Sequence, residues 1–132
     1  MECIDVAIAV VKRGRKILIC QRKIDDSLGG FWEFPGGKRE TGETLHSCLS
    51  RELMEEVAIS AKIVEEFTPI RHDYDHTRVM LHPFLCEHVA GEPVPIECQR
   101  FEWVEVRQFG DFNFPPANGT LLKEIADRLG NR

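Results

Sequence analysis

The chain has 132 residues, in which 17 lysines and arginines face 22 aspartates and glutamates, so its formal net charge is −5. A chain of this length predicts one domain, residues 1–132, with a real hydrophobic core. The acidic balance argues against a duplex nucleic-acid partner, which requires a basic face.

Targeting and redox signals are sparse. Glu2 and Asp5 interrupt the basic stretch that would open a signal peptide, and the apolar run 6–11 is too short to span a membrane. Five cysteines without a C-x-x-C pair indicate reduced core thiols and no zinc site. We therefore expect a cytoplasmic protein without a membrane partner; its oligomeric state stays open, and a monomer is compatible with the sequence.

The first predicted elements are two strands, 4–11 and 16–21, joined by a turn at Gly14. A loop at 24–30 leads into FWEFPGGK, which carries Glu33 inside an aromatic run. An acid in such a place should be paired or hydrogen-bonded.

A helix is predicted from Thr44, as N-cap, to Val57. At about 100° per residue, its apolar stripe overlaps an arc of three acids. The stripe consists of Leu45, Cys48, Leu49 and Leu53, and the acids are Glu52, Glu55 and Glu56.

These carboxylates should repel one another by roughly 3 kcal/mol per pair at about 5 Å and an effective dielectric near 20. Hard divalent cations with oxygen ligands are the natural counter-charge. Arg51 follows Glu43 by eight residues and precedes Glu55 by four, so it can neutralise one acid while the others stay free. A salt-bridged surface helix is the simpler alternative.

Further strands are predicted at 63–70, 78–87 and 101–106, with Pro83 marking a bulge or an edge position. A final helix at 120–129 should end at Gly130. Strands interleaved with two main helices predict an α/β fold with a mixed sheet between helices.

The spacing from Gly37 to Ile59 resembles the signature of the Nudix hydrolases, G-x5-E-x7-R-E-U-x-E-E-x-G-U, where U is a bulky aliphatic residue. The chain departs from it only at Ala58, where the family has glycine. If the helix ends there in a left-handed residue, alanine costs about 1 kcal/mol; a differently ended helix is the alternative. The resemblance implies an α/β/α sandwich.

Nearly the whole chain is similar to the MutT subgroup, through FWEFPGGKRETGET, the segment 91–103 and the tail 114–118. This resemblance implies hydrolysis of 8-oxo-dGTP to 8-oxo-dGMP and pyrophosphate, with Mg²⁺ or Mn²⁺ as cofactor. It implies metal contacts from Gly36, Gly37, Glu52, Glu55, Glu56 and Glu97, and substrate contacts from Arg22, Glu33, Phe34, Pro35, Gly36, Lys38 and Asn118. Glu43 and Arg51 complete the catalytic set.

Simpler roles exist for several of these residues. Arg22 could be a solvated edge charge, Lys38 part of a basic turn, and Asn118 the N-cap of the last helix. Against the cap role, an amide offers a donor beside an acceptor. Oxidation of guanine at C8 places a hydrogen on N7 beside the O6 acceptor, which an amide can match.

Two other functions stay open. A relative specific for dCTP or a modified pyrimidine would keep the acidic helix and change the base pocket. A non-catalytic nucleotide-sensing module would be expected to lack acidic residues of the signature, all of which are present here. Glu52 is the first candidate for the general base and Glu55 the second.

Overall fold

The computed structural model describes residues 2–130 as a sheet between two helices. The elements are β1 (Glu2–Arg13), β2 (Lys16–Gln21), β3 (Trp32–Glu33), β4 (Gly36–Lys38), α1 (Leu45–Val57), β5 (Ser60–Glu66), β6 (Ile70–Asp73), β7 (Thr77–Ala90), β8 (Arg100–Glu105) and α2 (Gly119–Leu129). Two 3₁₀ turns, Val106–Asp111 and Pro116–Asn118, lie between β8 and α2.

The sheet is mixed, as the sequence predicts. Its main path runs β3-β2-β1-β7-β5, while β4 pairs with β1, β6 with β7 and β8 with β2. β1 and β7 run parallel, and the other pairs are antiparallel. The long β7 therefore connects the half of the sheet that carries β4 to the β5–β6 half.

Strand alternation divides the core into two layers. Ala7, Ala9 and Val11 of β1 belong to a buried cluster with α1 residues such as Leu49 and Leu53. Ile8 and Val10 point to the other face, where the cluster includes Leu121 and Ile125 of α2. The predicted α/β/α sandwich is confirmed.

α1 matches its prediction closely. The Thr44 side chain accepts from the Ser47 N–H, and the Ser47 side chain accepts from the Thr44 N–H. At the other end Ala58 is left-handed, with φ 59° and ψ 36°. The helix thus ends in the way that favours glycine.

The strand predicted at 63–70 is wrong, because the segment contains two strands, β5 and β6. Both pair with β7, to either side of Pro83. Pro83 also lies neither at an edge nor in a bulge of β7; it is paired with Ile8 of β1. Its missing N–H falls at the gap between β6 and β5, where its carbonyl accepts from Phe67.

The other boundaries shift by a few residues. The strand predicted at 101–106 ends at Glu105, and α2 starts at Gly119 and is capped by Gly130 in a right-handed conformation. Within residues 2–130, no helix has the length and hydropathy needed to cross a bilayer. All five cysteines are free, and all but Cys3 are buried.

Candidate active site

Two glycines of β4 bring the backbone against the acidic end of α1. The Gly36 N–H donates to Glu56 Oε2 at 3.1 Å. A Cβ on Gly36 would collide with the Ala7 carbonyl of β1, so glycine is required at this position. A Cβ on Gly37 would meet the Glu52 carboxylate, which would have to move aside. The glycine pair and the acidic helix thus form one structural unit.

Arg51 holds more of the acids than the sequence predicts. Its Nε and Nη2 donate to Glu43 at 2.6 and 2.9 Å, and its Nη1 donates to both Glu52 and Glu55 at 3.0 Å. The expectation that it neutralises a single acid is therefore wrong. Arg51 also donates to the Lys38 carbonyl at 3.2 Å, so it ties the helix to the end of β4.

The three helix acids differ in environment. Glu56 is only 6% exposed, and burial raises its pKa to about 8 against the lowering effect of the Gly36 hydrogen bond. Burial also raises the pKa of Glu52, whereas Glu55 is largely exposed. The Arg51 guanidinium lowers the pKa of Glu43 to about 2. Glu43 is thus a fixed anion for Arg51, while Glu52 and Glu56 carry charges that the fold disfavours.

Glu97 approaches this group from the loop before β8. The amides of Ile96 and Glu97 donate to the Glu56 carbonyl at 3.1 and 3.3 Å, which fixes the loop on α1. The Glu97 charge contributes to the raised pKa of Glu52. A fourth carboxylate thus lies within electrostatic range of the helix acids.

The donor set fits a hard divalent cation. Carboxylate oxygens and a glycine-lined backbone are the ligands that Mg²⁺ or Mn²⁺ takes. Two acids with raised pKa values at one point show that a positive charge there would be stabilising. In residues 2–130, however, no three His, Cys, Asp or Glu side chains already stand as a ligand set. Glu52 and Glu55 are turned toward Arg51 and would have to rotate to share an ion.

A cavity of about 360 Å³ adjoins the same glycines on the opposite face of the sheet. Its lining residues are Val6, Ile8, Arg22, Leu28, Glu33, Phe34, Gly36, Gly37, Lys38, Tyr74, Leu81, Pro115, Ala117 and Asn118. This volume falls within the range of small-ligand pockets. β4 therefore lies between a carboxylate cluster on one side and a mostly apolar cavity on the other.

Most predicted substrate residues meet at this cavity. Phe34 is buried and stacks on Phe114 with ring centroids 5.5 Å apart. Glu33 has the partner that its place requires, because Arg22 Nη1 donates to it at 2.8 Å. Lys38 is exposed at the cavity rim. Pro35 lies buried beside the cavity, and its carbonyl accepts from Ala9.

Asn118 occupies the N-cap position of α2 but makes no capping hydrogen bond with its side chain. Its backbone is helical, with φ −86° and ψ −4°, whereas a capping residue is normally extended. Asn118 is instead one of the residues that line the cavity. The simpler helix-cap role is thus not the one that the structure supports.

Sequence reasoning missed several residues of the site. Leu28 lines the cavity in a left-handed conformation, with φ 56°. Val6 and Ile8 could have been found from strand alternation, since they share the face of β1 opposite Ala7. Asp5 lies outside the site but next to it; it binds Arg39 at 3.0 Å and His82 at 2.9 Å and has no local signal, because these partners are 34 and 77 residues away.

Comparison with known proteins is consistent with this geometry. The NUDIX domain family model matches residues 6–124. The 8-oxo-dGTP diphosphatase of Escherichia coli K12 is 31% identical over 95% of this chain and 98% of that protein. The CTP pyrophosphohydrolase of the same strain is 31% identical over 93% of this chain and 91% of that protein.

Among solved structures, the E. coli ORF135 protein superposes with a TM-score of 0.89 and 30% sequence identity. The match covers 100% of this chain and 94% of that one. The likeness therefore extends over the sheet and both helices.

Proposed function

The chain belongs to the Nudix hydrolase family, and from this we propose that it is a metal-dependent nucleoside triphosphate pyrophosphohydrolase that prefers 8-oxo-dGTP. It cleaves this substrate to 8-oxo-dGMP and pyrophosphate and so removes an oxidised precursor from the nucleotide pool. The observation that carries the proposal is the position of Asn118, which makes no capping hydrogen bond with its side chain and lines a cavity that shares Gly36, Gly37 and Lys38 with the acidic site.

The cavity is suited to a purine base. Phe34 and Leu81 supply apolar walls, and Asn118 supplies one donor and one acceptor. The amide can donate to O6 and accept from the N7–H that only the oxidised base carries. Unmodified guanine presents two acceptors along this edge, so one of the two hydrogen bonds is lost.

The triphosphate would extend from the cavity across β4 to the acidic helix. Lys38 and Arg22 are the cations at the cavity. Arg22 is already paired with Glu33, so a phosphate would share the Arg22 charge with that carboxylate. Lys38, in contrast, is exposed at the rim of the cavity. Mg²⁺ or Mn²⁺ held by Glu56, the glycine backbone and whichever of Glu52 and Glu55 is not the base, with Glu97 nearby, would neutralise phosphate charge and lower the pKa of the attacking water.

The chain's own groups then position and deprotonate that water. Glu52 is our candidate for the base, because it lies against Gly37 and burial raises its pKa, which favours accepting a proton. Glu55, on the same guanidinium, is the alternative. Arg51, fixed by the Glu43 anion, orients whichever carboxylate is free.

Hydrolysis of 8-oxo-dGTP, dGTP, dCTP and dATP, with product identification, tests the proposal. We expect the highest kcat/KM for 8-oxo-dGTP and release of pyrophosphate instead of orthophosphate. The variants Glu52→Gln, Glu55→Gln and Glu56→Gln should separate the roles: loss of kcat with unchanged metal requirement identifies the base. Wild-type hydrolysis by Glu56→Gln would exclude the acidic helix as the metal site.

A second candidate is a pyrophosphohydrolase for CTP, dCTP or a modified pyrimidine. This candidate is supported by the E. coli CTP pyrophosphohydrolase, whose sequence identity to this chain, 31%, equals that of the E. coli 8-oxo-dGTP diphosphatase. Higher kcat/KM for dCTP in the same panel would support it. A nucleotide-sensing module would bind nucleotides without turnover.

The proposal is completed by a cytoplasmic location and a small-molecule partner. Cell fractionation and gel filtration check the location and the oligomeric state.

A further inference from the structure

We propose that Asp5 is a positioning residue for the phosphate-binding side of the site, acting through Arg39 on Lys38. This inference rests on the proposed function and extends it to a residue outside the Nudix signature. Among residues 2–130, the Asp5 side chain hydrogen-bonds to Arg39 and His82 and to no acid of the carboxylate cluster, and Asp5 does not line the cavity.

The segment to be positioned, 38–43, lacks apolar anchoring. Lys38 to Gly42 are all exposed, and Glu43 is half-buried. Its conformation therefore depends on polar contacts. Arg51 holds it from the helix side, through the Lys38 carbonyl at 3.2 Å and Glu43 at 2.6 Å.

Asp5 holds the same segment from the sheet side. The Arg39 N–H donates to the Asp5 carbonyl at 2.8 Å, and Arg39 Nη2 donates to Asp5 Oδ2 at 3.0 Å. Arg39 Nη1 then reaches the Glu43 carbonyl at 3.2 Å. One arginine thus connects Asp5 to both ends of the segment.

The second carboxylate oxygen of Asp5 is fixed by His82, whose Nε2 donates to Oδ1 at 2.9 Å. Asp5 lies two residues before Ala7 in β1, and His82 lies two residues before Phe84 in β7. Both therefore share the α1 face with these residues and lie just beyond the apolar cluster. Both side chains are only 21–31% exposed. The Asp5 carboxylate is therefore held in place independently of Arg39, unlike a freely solvated surface acid.

Lys38 is the residue that such a clamp would control. It pairs with Val6 in the β1–β4 ladder, one position from Arg39, and it lines both the base cavity and a second, shallow cavity beside Glu52. A small rotation of the chain at Arg39 would move the Lys38 ammonium relative to the phosphates. Asp5 should thus affect triphosphate binding and not the proton transfer.

A double-mutant cycle tests this coupling. We expect Asp5→Asn to raise KM for the preferred triphosphate by about three- to tenfold with little change in kcat. In a Lys38→Ala background, the same substitution should add less than about twofold, because the group it positions is gone. Glu124→Gln is the matched control: it weakens another arginine-paired carboxylate, bound to Arg128 at 2.7 Å, in α2. It should leave KM unchanged.

Amide hydrogen exchange gives a readout independent of turnover. In Asp5→Asn, the amides of residues 39–43 should exchange faster than in the wild type, while those in Glu124→Gln should not. His82→Gln, which leaves the Asp5–Arg39 pair in place, should produce a smaller change of the same sign and serves if Asp5→Asn fails to fold. Unchanged exchange in this segment, or KM effects of Asp5 and Lys38 that multiply, would overturn the inference; absent hydrolysis by the wild type would instead overturn the proposed function.

Discussion

Glu56 combines a cost in stability with the metal-binding role that we propose for it. It is buried in the last turn of α1, accepts the Gly36 N–H, and has a pKa raised to about 8. Desolvation is the main cause, and the charges of Glu33 and Glu52 add to it. In metal-free protein this carboxyl is therefore protonated over much of the range in which an ordinary glutamate is charged.

This shift gives a pH prediction for stability. Between the ordinary pKa of 4.5 and about 8, the folded protein keeps a proton that the unfolded chain releases. The stabilisation is fully present below 4.5 and is lost as the pH rises through about 8. Urea unfolding in EDTA should thus show a free energy of unfolding that falls by a few kcal/mol, in order of magnitude, from pH 5 to pH 8.

Glu56→Gln should largely remove this decline, since an amide keeps the acceptor for Gly36 without titrating. Glu55→Gln is the control on the same helix, and the decline should persist there because Glu56 is still present. An equal slope in Glu56→Gln and the wild type would place the titrating group elsewhere.

Asn118 supports a prediction on base selection. If its amide reads the oxidised edge, Asn118→Ala should reduce kcat/KM for 8-oxo-dGTP much more than for dGTP. Loss of a pocket hydrogen bond is worth about 1–3 kcal/mol in discrimination. Because the side chain makes no capping bond, the melting temperature should barely change. An unchanged ratio together with a stability loss of about 1 kcal/mol would restore the helix-cap role and favour the pyrimidine alternative.

Some residues of the candidate site can be predicted from the sequence, and others cannot. The helix acids and Asn118 are identifiable because spacing and resemblance select them. The hydrogen bonds from Arg51 to three glutamates depend on side-chain rotamers, which the spacing in the sequence does not fix. Asp5 and His82 were out of reach, since their contact joins strands 77 residues apart.

Among the helices and strands, local sequence signals predicted correctly those elements whose bounds are set by nearby residues. Thr44 caps α1 as predicted, and β2 has its predicted bounds. They failed where β7 decides: β5 and β6 are separate strands because each pairs with a different half of that strand. β3 and β4 contain two and three residues and exist only through pairing with β2 and β1.

The end of α1 is a position where glycine should stabilise the protein. Ala58 is left-handed, which costs an L-residue about 1–2 kcal/mol. Ala58→Gly relieves this cost but adds freedom to the unfolded chain, so we expect a net gain of about 0.5–1 kcal/mol and a melting temperature roughly 2–4 °C higher. The same change at exposed Ala126, inside α2, should destabilise the protein by about 1 kcal/mol. Two losses of similar size would contradict the left-handed end.

The fold of the whole domain places the cavity and the acidic cluster on opposite sides of one short strand. The cavity opens on the α2 face of β1, and the carboxylates lie on the α1 face. β4, which has no side chain larger than hydrogen at Gly36 and Gly37, is the common border. A ligand that spans β4 contacts both layers of the sandwich. We therefore expect ion binding to raise the free energy of unfolding of the whole domain.

Thermal unfolding should therefore report whether the acidic helix holds the ion. Mg²⁺ or Mn²⁺ should raise the melting temperature of the wild type, because a ligand that binds only the folded form stabilises it by about 2.7 kcal/mol at a hundredfold excess over Kd. The Glu52→Gln/Glu56→Gln double variant should show a much smaller rise, although its metal-free form should be at least as stable as the wild type, since like-charge repulsion and buried charge are removed. The Glu65→Gln/Glu66→Gln variant removes two carboxylates from β5, away from the site, and should keep the full rise. If the ion shifts all three proteins equally, it binds somewhere other than the acidic helix, and the charge cluster at the end of α1 needs a different counter-ion.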